Sequence, residues 1–239
     1  MAAPAPSLLV VVGFGPQGWG WQFIAGAIVT VEISVCAYAV GVIFGLLGAW
    51  CRLSRARLPS AAGAAYSTIV RAVPELLLII LLFYSGSALL DRLLAIAGLG
   101  GTVQVSGFAA AVLTLGFVQG AYMTEVFRGA IEAVPASTIE AAQALALRRW
   151  PVFRLVVFPL MLRLALPAMG NLWQSVIKES ALVSVVGFSE LLSVGKNAAS
   201  ETKQYFGVLC FTAAVYLALT TISGFGFLAA ERRLQRAYR

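Results

Sequence analysis

Asn171, Gln174, Ser175, Lys178 and Glu179 recur at three- and four-residue spacing inside an otherwise apolar stretch. On a helix that spacing gathers them into one polar stripe. Counted from Leu166, Lys178 and Glu179 come 12 and 13 residues in. That is about 18–20 Å along a helix, slightly past the middle of a hydrocarbon layer about 30 Å thick. An ionisable group at such depth costs at least about 2.5–3.5 kcal/mol, so the stripe should face a bundle interior or a water-filled cavity. Lys178 and Glu179 sit about 100° apart around the helix and need not satisfy each other. At least one is open to a charged solute; partners on neighbouring helices, or an interface with a second subunit, would serve as well.

Other chemistries lack their parts. The chain has no His, and its three cysteines, Cys36, Cys51 and Cys210, are scattered singly. That rules out most metal-ligand spacings and gives no disulfide framework. An intramembrane enzyme would need a nucleophile beside a base, and no Ser-Lys or paired-Asp arrangement stands at a suitable spacing. Gly195-Lys196 lacks the upstream glycine and following Ser or Thr of a phosphate loop, so ATP is not expected to bind this chain.

These residues must be positioned by membrane-crossing helices. Of 239 residues, 60% are hydrophobic and 11% charged, and mean hydropathy is +0.90; soluble domains average about 25% charged. Five apolar spans are expected, at about residues 23–50, 66–90, 108–130, 166–188 and 205–230, each beyond the roughly 20 residues that cross the hydrocarbon. The fold class is all-α: a polytopic membrane protein with a single transmembrane domain over 23–232. A segment at 1–22 precedes it and a tail at 233–239 follows. Residues 1–15 carry an apolar run with no basic residue before it, unlike a cleaved signal peptide. Arg52, Arg55, Arg57, Arg148, Arg149, Arg154, Arg163, Arg232, Arg233, Arg236 and Arg239 fall on one side of the spans. The other side carries Arg92, Lys196 and Lys203, offset by Asp91, Glu190 and Glu201. Eleven against three puts the first set in the cytoplasm, with the N-terminus outside and the C-terminus inside. The net charge of +7 is thereby explained without nucleic acid as a partner.

Within the spans, Ala37, Gly41, Gly45 and the nearby Gly48 form a small-residue face for close helix contact. Arg71 and Glu75 stand four apart and are expected to pair, as are Glu125 and Arg128 three apart. Gly98, Gly100 and Gly101 are read as turns in an outside loop at 97–106.

A polar, Arg-bearing insert at about 132–163 interrupts the apolar pattern and reads as a small helix, a turn and a second small helix. It contains Glu140-Ala141-Ala142, three residues, Ala146, nine residues, then Val156-Val157-Phe158-Pro159. This resembles the cytoplasmic loop of bacterial ABC-importer permeases, with Ala146 where that family has glycine. The likeness to the polar amino acid branch extends through Gly26-Ala27 with Thr30 and Ser34, Arg71-Ala72-Val73-Pro74, and the run from Gly120 to Gly129. It continues through Leu166-Pro167, Gly170-Asn171, Trp173 and Lys178-Glu179-Ser180-Ala181-Leu182. It is nearest to the Q-type subunits of histidine, lysine-arginine-ornithine and opine importers.

The resemblance implies a five-span type I permease fold in the inner membrane. It implies a homologous second permease, in a heterodimer or a homodimer, and a periplasmic solute-binding protein. It further implies an ABC ATPase dimer that carries ATP and Mg, none being held by this chain. Glu140, Ala141, Ala142, Ala146, Leu147, Arg148 and Pro159 would form the coupling contact. Glu179 stands where many relatives carry an acid, as does Glu75 where the histidine-type subunit has one, and with Gln119 they extend the candidate path. Two acids near a translocation path suit a cationic ammonium or guanidinium group, so the expected solute is a basic amino acid or an opine, with another polar amino acid as the alternative. A stand-alone transporter would have no reason for the insert.

Overall fold

A computed structural model describes residues 7–16, 18–96 and 106–236. Every element in it is helical. In chain order these are α1 (Leu8–Val12), α2 (Gly20–Arg52), α3 (Arg57–Ala72), α4 (Glu75–Ile96), α5 (Gly107–Glu132), α6 (Ala136–Ala144), α7 (Arg149–Val152), α8 (Phe158–Glu179), α9 (Leu191–Thr202) and α10 (Tyr205–Arg236). The turn glycines Gly98, Gly100 and Gly101 and the last three residues lie outside the described residues.

The bundle is built on α2 crossing α5. Ala37, Gly41, Gly45 and Gly48 are all buried and let the two backbones approach. A Cβ at Gly45 would collide with Cβ of Met123, and one at Gly48 with the Thr124 hydroxyl. Burial on both sides of this crossing draws Ile33, Ala37, Ala111 and Leu115 into one apolar cluster and Ala49, Met123, Phe127 and Met161 into another. With 33 residues, α2 is about 50 Å long. Trp21 and Trp50, 68% and 75% exposed, stand near its two ends, about 44 Å apart. That matches the 40–45 Å of a bilayer with its headgroups, where tryptophan concentrates.

Among the described residues, four helical runs are long and apolar enough to cross a membrane: Gly20–Arg52, Gly107–Glu132, Arg149–Val186 and Tyr205–Arg233. The span expected over 66–90 is not one helix. It divides into Arg57–Ala72 and Glu75–Gly86, bent by 112°. Val73 lies at φ −90°, ψ 139°, because the ring of Pro74 excludes the helical conformation from the residue before it. Counted together, the bent pair makes a fifth span.

The second small helix of the insert is also not separate. α7 runs through a π-helical turn at Phe153–Val157 into α8. Pro159 would press on the carbonyl of Leu155 in an unbroken α-helix; the wider turn contains Leu155 and relieves that clash. α8 ends by tightening into a 3-10 stretch, Ser180–Val186, closed by Gly187 at φ 85°. At the end of the bundle away from the insert, α9 packs between α2 and α10. Val11, Phe23, Leu191, Ala198, Ala199 and Val208 are buried together there.

Candidate functional site

The insert is held by a small apolar core of Val134, Ala142, Val152 and Val157. α6 therefore turns Ala142 inward and leaves Glu140 and Ala141 exposed. Its last turn ends at Leu145, whose N–H reaches the Ala141 carbonyl. Ala146 then adopts φ 57°, and its N–H donates to the Gln143 carbonyl at 2.9 Å. The left-handed turn is thus made without glycine. Arg148 leads extended into α7 and is exposed, Leu147 is half-buried against the core, and Pro159 is half-buried in the first turn of α8. Leu145, Trp150, Phe153, Leu155 and Phe158 leave an exposed apolar surface around Arg148 and Arg149.

Beside the insert, charged groups tie three helices together. Glu125 of α5 meets Arg128 at 2.9 Å and Arg52 of α2 at 3.4 Å, and the Ser67 hydroxyl of α3 donates to it at 2.7 Å. Arg128 also reaches Glu132 at 2.6 Å. The pair expected between Arg71 and Glu75 does not form: they lie on opposite sides of the break at Pro74, and the one-turn spacing no longer applies. Arg71 stacks over the Tyr122 ring instead, 5.5 Å from its centroid.

Deeper in the bundle, α4, α5 and α8 converge on a polar cluster. Gln119, 1% exposed, donates its amide N–H to the Glu179 carboxylate. Its other amide atom, Oε1, is buried with no partner among the described residues. Tyr122, one turn further along α5, lies near enough to feel the charges of Glu75 and Glu179, and those two charges act on each other. Two acids, an orphaned acceptor and a phenol therefore share one region.

The remaining stripe residues face elsewhere. Asn171, Gln174 and Lys178 are exposed, and Ser175 is half-buried between the two faces. Asn171 and Gln174 line a groove of about 470 Å³ with Thr220, Thr221 and Glu231 of α10. Helical geometry accounts for the split: Glu179 lies about 100° round from Lys178, toward α5.

One buried acid escapes sequence reasoning. Glu190, counted above as a loop charge, is 0% exposed. It caps α9 by accepting from Leu192 and Ser193 N–H at 2.8 and 2.9 Å, and takes hydrogen bonds from Thr30 of α2 and Tyr216 of α10. Burial pushes its carboxyl pKa upward, against those four donors. Glutamate is not a usual N-cap residue, so only the acid directly before Leu191-Leu192 hinted at this role.

A bundle of membrane-crossing helices with inward polar groups and an amphipathic insert at one end defines a membrane transport subunit. A family model described as binding-protein-dependent transport system inner membrane component matches residues 41–236. The octopine transport system permease protein OccQ of Rhizobium radiobacter is 38% identical over 226 residues, 95% of each chain. The nopaline permease NocQ of Agrobacterium fabrum is 39% identical over 232 residues, 97% of this chain and 98% of its own. The histidine/lysine/arginine/ornithine permease HisQ of Escherichia coli is 39% identical over 218 residues, 90% and 94% of the two chains. A chain in the crystal structure of an amino acid ABC transporter with histidines superposes with a TM-score of 0.76 at 31% identity, covering 90% of this chain and 95% of that one. The inward-facing MetNI methionine transporter shares the fold at TM-score 0.68 and 19% identity, over 92% and 98% of the two chains. This chain belongs to the family of binding-protein-dependent inner membrane transport components. It is a non-catalytic permease subunit, and its likeness to Q-type permeases and its all-helical permease fold are both borne out.

Proposed function

We propose that the chain forms half of the translocation pathway of an ATP-driven importer whose solute is a basic amino acid or an opine. The observation that carries the solute class is the convergence of Glu75 and Glu179 beside the unpartnered Oε1 of Gln119. Carboxylates and amide acceptors bind ammonium and guanidinium groups through charge-assisted hydrogen bonds, and the named solutes of OccQ, NocQ and HisQ include such groups.

The working assembly is a pair of homologous permeases in the bacterial inner membrane, with an ATPase dimer on one side and a periplasmic solute-binding protein on the other. ATP and Mg reside on the ATPase, and this chain holds no cofactor. The Arg-rich side, including the C-terminus and the insert, is cytoplasmic. The exposed surface of Glu140, Ala141, Leu145 and Arg148 on α6 and its turn seats on the ATPase. Because α7 is continuous with α8, a push on the insert is transmitted along one helical run to Lys178 and Glu179.

Uptake of labelled arginine and lysine into proteoliposomes holding the whole assembly tests this. Glu179→Gln should lower uptake of both at least about tenfold, since a charge-assisted contact is lost. Unchanged uptake would remove Glu179 from the pathway.

A further inference from the structure

We infer that Lys178 is the anchor for the solute carboxylate, so that this subunit selects amino acids over amines carrying the same cationic group. The inference rests on the proposed solute site and extends it to the other end of the solute. An amino acid brings a carboxylate as well as a cation, and Glu75 and Glu179 repel that carboxylate. A path that admits the whole molecule needs a positive group near the acids.

Among the described residues, two cations act on this cluster, Arg71 on Tyr122 and Lys178 on Glu179. The Arg71 guanidinium is stacked on the Tyr122 ring and occupies the same side as the acids. Lys178 differs. It directly precedes Glu179 but points about 100° away, and no carboxylate among the described residues lies within 4 Å of its ammonium. It is exposed on one face with Gln174 and Asn171, one and two turns below it, and those two amides line the groove between α8 and α10. An exposed ammonium at this depth is not stable against lipid, so this face meets water, a solute or another protein chain. Its two amide neighbours make it a polar track ending in a positive charge. Glu179 on one flank and Lys178 on the next therefore fit the two ends of a zwitterionic solute. A solute with an additional carboxylate, as in octopine, extends along Asn171 and Gln174.

The test is equilibrium binding to the purified assembly of both permeases and the ATPase in nanodiscs, without the binding protein. L-arginine and agmatine, which is arginine lacking its carboxylate, serve as probes. The native assembly should prefer arginine. Lys178→Gln should weaken arginine at least about tenfold, the loss of one charge-assisted contact, while agmatine, a dication relieved of a nearby positive charge, binds as tightly or more tightly; Lys178→Arg should restore most of the arginine affinity. Unchanged arginine binding in Lys178→Gln overturns the inference. So does an equal loss for both probes, which would mean that Lys178 supports the fold or pairs with an acid of the second permease. A native assembly that binds agmatine and not arginine also overturns it while sparing the acidic site; binding of neither probe overturns the solute site itself.

Discussion

Ala146 offers the sharpest physical test of the insert. It adopts φ 57°, a conformation that brings Cβ against the following carbonyl and costs an L-residue about 1–2 kcal/mol. The side chain is exposed, so no packing of its methyl offsets that cost. Glycine removes the clash but adds about 0.4–1 kcal/mol of unfolded-chain entropy to be lost on ordering. Ala146→Gly should therefore stabilise the turn by about 0.5–1 kcal/mol. Amide exchange of residues 143–152 in the assembled transporter reads this directly: the turn should open about two- to fivefold less often. Solute-stimulated ATP hydrolysis should remain coupled to uptake. Ala146→Pro is the opposite perturbation. Proline is fixed near φ −65° and has no N–H for the Gln143 carbonyl, so the loop should exchange freely and hydrolysis should run without uptake. Faster exchange or uncoupled hydrolysis in Ala146→Gly would refute the reasoning.

Two further substitutions probe what holds the bundle together. Gly48→Val places methyl groups where the Thr124 side chain already stands, and the α2–α5 crossing cannot widen without opening the buried core; little mature protein should be found in the membrane fraction by immunoblot, and normal levels would refute the close approach. Glu190→Ala leaves two N–H groups of α9 and the Thr30 and Tyr216 hydroxyls without their acceptor, a loss of about 3 kcal/mol or more. Glu190→Gln keeps an acceptor and removes the charge. Because burial raises the folded carboxyl above its unfolded value, Glu190 favours folding at low pH, and that contribution fades as pH rises through the folded pKa. The Gln variant should therefore have a melting temperature at pH 8 at least equal to that of the native protein, with less dependence on pH, while the Ala variant melts several degrees lower. A Gln variant as unstable as Ala would show that the charge, not the hydrogen bonding, matters.

What the sequence makes legible follows from how local each signal is. The four-residue spacing of Ala37, Gly41 and Gly45 requires only that α2 be helical, and the face it marks is the one that meets α5. The position of the left-handed residue follows from motif spacing, even though alanine argues against that conformation. The break at Pro74 is written in the sequence, yet hydropathy runs unbroken across it and hides two helices as one. That also explains the misplaced pairing of Arg71 with Glu75, since a one-turn rule assumes a continuous turn. The Pro159 clash is likewise local, but its relief by a π-helical turn, which joins insert and span, depends on packing around Val152 and Val157. Glu190 is the least legible. Its burial depends on Thr30, 160 residues away, and on a cap that glutamate seldom makes. The grouping of Glu75, Gln119, Tyr122 and Glu179 similarly arises only when α4, α5 and α8 are brought together.

The most direct measurement concerns the exposed face of α6. In a variant whose native cysteines Cys36, Cys51 and Cys210 are replaced, Ala141→Cys should crosslink to the ATPase through a short bifunctional reagent in native membranes, and ATP should change the yield. Lys196→Cys, on α9 at the far end of the bundle, should give no such product and should be labelled from the periplasm. Crosslinking to the ATPase from position 196 but not from 141, or labelling of 141 from outside the cell, would contradict a role for the insert as the handle on which ATP hydrolysis acts.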